Sequence, residues 1–105
     1  MNSETDDLEA PKLAELQESI LDSATLNDLF RDLRVCTEVI EVIPRASRHQ
    51  MVAERTLTLE EAKEKILSGA INGLQIRYRY EGAEWWDTLL RLPQGVRIVR
   101  IRHEF

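Results

Sequence analysis

Cysteine occurs once in this chain, histidine twice and glycine four times, and no apolar run approaches the roughly 20 residues that a bilayer span needs. Each scarcity removes a class of function. A lone Cys36 forbids an internal disulfide, and its apolar neighbours predict a buried small hydrophobe rather than a reactive thiol. A Cys36 and His49 dyad carries little weight, because any small domain with one of each offers that pairing. His49 and His103 lack the paired spacing of a metal site, so no metal is expected. Gly69, Gly73, Gly82 and Gly95 each have a turn or a helix end to explain them, which leaves none for a phosphate loop and predicts no cofactor. The carboxylate pairs Asp6-Asp7 and Glu60-Glu61 fall on a tail and a helix start, where solvated charge is ordinary. Catalysis is therefore the least supported class.

At 105 residues, with 43% hydrophobic and 31% charged, the composition fits one folded domain and neither a wholly disordered chain nor a membrane protein. The acidic start Met1-Asn2-Ser3-Glu4-Thr5-Asp6-Asp7 has no apolar core behind it, the opposite of a signal peptide, so a cytoplasmic protein is expected. Net charge is −5. It is uneven, with the acidic residues concentrated before Arg34 and an arginine excess after Ile71. An acidic balance argues against nonspecific nucleic-acid binding while leaving room for a local basic patch.

Along the chain, residues 1–10 read as a disordered acidic tail and 11–105 as a single α+β domain. Pro11 suits a first helical turn, and Leu13, Leu16, Ile20 and Leu21 form a narrow stripe behind it. A second helix follows from Thr25, as its cap, with Leu26, Leu29, Phe30 and Leu33 at helical spacing. The joint is short, so the two predict an N-terminal helical hairpin. Val35 to Ile43 is β-branched and reads as a strand ended by Pro44. A basic loop from Pro44 to His49 and a weaker strand from Gln50 to Thr56 come next. Thr58-Leu59-Glu60-Glu61 matches a capping box, and Ser68-Gly69 stops the helix that it opens.

The C-terminal third is the most informative stretch, holding both tryptophans, both tyrosines and six arginines. Strict alternation from Leu74 to Tyr80, a β-favouring run from Trp85 to Leu92 and a third run from Val96 to Arg102 predict an antiparallel three-stranded meander. The expected fold is thus α+β, an antiparallel sheet covered by helices and preceded by the helical hairpin. Register decides which indole faces solvent. A two-residue turn at Glu81-Gly82 sets Arg77 opposite Trp86, and a three-residue loop with a glycine bulge sets it opposite Trp85. The bulge is favoured, because a type I′ turn forces Glu81 to positive φ. A matching three-residue loop at Pro93-Gln94-Gly95 would place Arg102 beside Trp86 and His103 beside Trp85. In either register an indole lies between Arg77 and a basic group on the far strand.

Arginine over tryptophan is an ordinary way to cover an indole on a wet sheet face. The same residue types are enriched in binding hot spots, so Arg77, Arg79, Trp85, Trp86, Asp87 and Arg102 are the candidate binding residues. Asp87, a carboxylate in mid-strand, answers an arginine or orients a ligand. The function expected is that of a small noncatalytic accessory or regulatory protein that binds another protein. A homodimer is expected too, through helical stripes left without cover. The alternatives are a single-stranded nucleic-acid module using the arginine and tryptophan face, and a small-ligand sensor.

Overall fold

The computed structural model describes residues 16–45 and 56–103. Five strands and two helices alternate as β1 (Leu16–Leu21), α1 (Ser23–Cys36), β2 (Glu38–Arg45), α2 (Leu59–Ser68), β3 (Gly73–Tyr80), β4 (Ala83–Leu92) and β5 (Gly95–His103). The strands form one antiparallel sheet in the order β1-β5-β4-β3-β2. The α+β class and the meander β3-β4-β5 stand as the alternation predicts. Because β1 and β2 are the two edges, the α1 connection must cross from one side of the sheet to the other, and it does so over a single face.

That crossing defines the core. Leu26, Phe30 and Leu33 of α1, with Ala62 and Ile66 of α2, are buried together with Leu74, Ile76 and Tyr78 of β3, Trp85 and Leu89 of β4, and Val96 and Ile98 of β5. Alternate residues of the same strands point away from both helices, so among the described residues the other face of the sheet has no helical cover.

The N-terminal helical hairpin is not formed: Leu16–Leu21 is an edge strand paired to β5. Leu16 and Ile20 are four residues apart, and four is both a helical repeat and an even strand interval, so their spacing fits either element. The open edge of β5 supplies the backbone partners that settle it. The helix then starts at Ser23, with Asp22 rather than Thr25 as its cap. Asp22 Oδ1 accepts the Thr25 N–H at 2.8 Å, and this bond holds the Asp22 carboxyl below its ordinary pKa. It also runs on to Cys36, so Val35 and Cys36 belong to its last turn and not to a strand. Cys36 is consequently exposed rather than buried.

Pro44 lies inside β2 instead of ending it, a position that an edge strand tolerates because the absent N–H is not needed for a second neighbour. The strand expected from Gln50 and most of the basic loop fall outside the described residues. The capping box of α2 is formed in both directions: Thr58 Oγ1 accepts the Glu61 N–H, and Glu61 Oε1 accepts the Thr58 N–H, each at 3.0 Å. Gly69 closes the helix at φ 86°.

Both meander turns are two-residue turns, which overturns the favoured bulge. Glu81 and Gly82 both take positive φ, 51° and 82°, the type I′ pattern whose twist matches that of the flanking strands. Arg77 therefore pairs with Trp86, and Tyr78 with Trp85. Leu92 pairs with Gly95 across Pro93-Gln94, so Trp85 faces Arg102 and Trp86 faces Ile101, the reverse of the expected placement for Arg102. Gly95, at φ 149°, lies where β5 starts against β1. A Cβ there would stand 2.6 Å from the Leu21 carbonyl oxygen, so only glycine allows the edge strand to come this close.

Candidate binding surface on the open sheet face

The register sorts the six candidate residues onto two sides. Arg77, Arg79 and Trp86 share the open face, whereas Trp85, Asp87 and Arg102 point toward the helices. Trp85 is only 8% exposed, with its indole N–H donated to the Tyr80 carbonyl at 3.3 Å and the Arg102 guanidinium 5.9 Å from its ring centroid. Asp87 is fully buried. Its carboxylate accepts Arg100 Nε at 2.9 Å and Nη2 at 2.8 Å, and the Tyr78 hydroxyl at 3.1 Å and 3.2 Å. Asp87 thus answers an arginine under the helices and has no part in the open face. Burial, with the adjoining carboxylate second, pushes the Tyr78 hydroxyl pKa well above its ordinary value of 10.0. Burial alone would lower the Arg100 pKa, and the hydrogen bonds that it donates to the Asp87 carboxylate reverse that and raise it.

On the open face one indole is held between two nitrogen-rich groups. The Arg77 guanidinium carbon lies 4.6 Å from the Trp86 ring centroid, and the His103 ring is stacked at 4.0 Å with a 35° tilt. The sandwich expected in either register is present, with His103 as the far-strand group on Trp86 instead of on Trp85. Two glutamates, absent from the candidate set, tie it down. Glu84 Oε2 accepts the Trp86 Nε1–H at 2.9 Å and sits 3.8 Å from Arg77 Nη2, while Glu41 Oε1 accepts Arg77 Nη1 at 2.8 Å. Their signal in the sequence is the register itself, since Glu84 lies two residues before Trp86 on the same face and Glu41 opposite Arg77.

Cross-strand pairing extends this neutralisation over the sheet. Arg79 faces Glu38 at 3.7 Å, and Arg97 Nε donates to Glu18 at 2.6 Å. By register, the described open face carries Arg45, Arg77, Arg79 and Arg97 against Glu18, Glu38, Glu41 and Glu84, a balanced set on a chain of net charge −5. Between these charges lie apolar residues that none of the described residues covers, above all Ile20 at 46% exposure and Ile101 at 40%.

The helix side offers a different kind of concavity. A cleft of about 550 Å³ opens between α1 and the strands β1 and β5, lined by Leu21, Leu29, Asp28, Asp32, Ile98 and Arg100. Among the described residues no helix is long and apolar enough to cross a membrane, and no group of three metal-ligating side chains is assembled. Comparison with protein-family models, with curated proteins and with solved structures finds no match.

Proposed function

We propose that this chain is a small noncatalytic accessory or regulatory protein that works by holding another protein on the open face of its sheet. The observation that carries this reading is Trp86, on the side away from both helices, fixed between Arg77 and His103 with its N–H already donated to Glu84. An aromatic side chain whose geometry is fixed before binding loses little entropy when a partner covers it, which is what an interface anchor requires. Arginine and glutamate in equal number around it form a polar rim that can exchange ion-pair partners without leaving a net charge buried.

The same balance weighs against single-stranded nucleic acid. Phosphate binding needs cations in excess, and Arg77, Arg79 and Arg97 are each paired with glutamate. A small-ligand sensor is the second reading, favoured by the cleft beside α1, where Leu21, Leu29 and Ile98 line the space together with Arg100 and two aspartates.

A photo-crosslinking residue tests the choice. Placed at Thr88, two residues from Trp86 on the open face, it is expected to trap protein, and Trp86→Ala should abolish the adduct while leaving the circular dichroism unchanged. The same residue at Asn27, exposed on α1, should trap none. Adducts from position 27 and not from 88 would move the working surface to the helices.

A further inference from the structure

We infer that the partner of the open sheet face is a second copy of this chain, packed face to face about a two-fold axis that runs across the strands; the inference rests on the reading of that face as the working surface. The face is not uniform. Its β5 half carries the apolar groups Ile20, Leu90, Trp86, Val99 and Ile101, and its β2 and β3 half carries most of the charge. An axis along the central strand β4 would lay β5 over β3, setting isoleucine against ion pairs. An axis across the strands lays each strand on its own copy with the order of residues reversed, so apolar half meets apolar half. Ile101 then meets Val99 of the second copy, Trp86 lies over Thr88, and Glu38 comes opposite Arg45. The same operation thus joins the apolar pair Ile101 and Val99 and, at the far edge, the unlike charges Glu38 and Arg45, each contact occurring twice as a two-fold interface demands.

Size and charge agree with this occupant. Five strands about 4.8 Å apart and about eight residues long at 3.3 Å each present roughly 600 Å² per copy before side-chain relief, so a pair removes on the order of 1,200 Å² or more, within the range of specific interfaces. The open face is charge-balanced, so bringing two of them together opposes no net charge at the contact, although each chain carries −5. Two twisted sheets stacked this way fall into the aligned packing angle of sandwiches, about 30°.

Sedimentation equilibrium on the full chain from roughly 1 to 200 µM reads the result. The parent is expected to fit a monomer–dimer equilibrium. Ile101→Glu should weaken it roughly tenfold or more by placing a carboxylate in the apolar half. Val35→Glu, at a 66% exposed position on α1, should leave it unmoved. Glu38→Arg should weaken association, and Glu38→Arg joined with Arg45→Glu should restore it, a rescue that belongs to an axis across the strands and not to one along them. A monomer mass at every concentration overturns the proposal, as does a dimer that Ile101→Glu leaves intact. A monomer that melts well below the parent when Ile101→Glu is introduced also overturns it, by pointing to a segment of the same chain on that face. If the parent is monomeric while crosslinks from Thr88 to another protein persist, only the second copy is wrong; if both are absent, the reading of the face falls with it.

Discussion

Asp87 is a charge with no access to water, and among the described residues its compensation comes from two side chains on neighbouring strands. Removing one partner differs physically from removing the pair. Arg100→Met should cost about 3–5 kcal/mol in denaturant unfolding, because the carboxylate stays buried without a cation. Asp87→Leu combined with Arg100→Met should recover part of that loss, since an apolar pair removes the buried charge while the Tyr78 hydroxyl still loses its acceptor. Tyr78 makes the same network sensitive to alkali. Its hydroxyl is held protonated in the fold well above the ordinary 10.0 at which it ionises in the unfolded chain. Above pH 10 the unfolded state therefore binds fewer protons than the folded one, and stability falls by up to about 1.4 kcal/mol per pH unit. Tyr78→Phe should be less stable than the parent by about 1 kcal/mol at neutral pH, and that gap should narrow as the pH rises past 10. A gap that stays constant from pH 8 to about pH 11 would mean that Tyr78 ionises equally in both states.

At the scale of elements, the first meander turn is where local preference and the sheet disagree. Glu81 sits at φ 51° because a two-residue turn keeps β3 and β4 in register, and a glutamate there is strained where asparagine is at ease. Glu81→Asn should raise stability by roughly 0.5–1 kcal/mol in thermal or urea unfolding, with the pairing of Arg77 to Trp86 unchanged. That turn also explains what could be read in advance. The capping box of Thr58 and Glu61, the stop at Gly69 and the alternation from Leu74 to Tyr80 are local signals, complete within a few residues, and each is found in the fold. The register was not legible, because the strain at one residue argued for a bulge while the twist of the whole hairpin argued for the tighter turn. Nor was β1, whose spacing suits two periods and whose identity depends on β5 about 80 residues later. The candidate surface inherits both limits. An indole between Arg77 and a basic group was legible, whereas its being Trp86, and the withdrawal of Trp85, Asp87 and Arg102 to the helix side, followed only from the register.

For the molecule as a whole, charge separates the possible partners of the open face by the sign of a salt effect. Each chain carries −5, while the face itself pairs Arg77, Arg79 and Arg97 with glutamates. Two copies approaching face to face bring their centres within about 25 Å, where the repulsion between their net charges is of order 1–2 kcal/mol at 0.01 M salt and nearly vanishes at 0.15 M. Exposed ion pairs across such an interface are worth about 0–1 kcal/mol each and are screened too, which offsets only part of that gain. Self-association should therefore tighten by several-fold between low and physiological salt, a direction opposite to phosphate binding, in which every displaced counterion makes affinity fall as salt rises. Repeating the sedimentation measurement at the two ionic strengths, beside a titration with a labelled single-stranded oligonucleotide, sets the two directions against each other. An association constant that drops steeply with salt would mean that unlike charges, and not the apolar half around Ile101 and Trp86, hold the partner on this face.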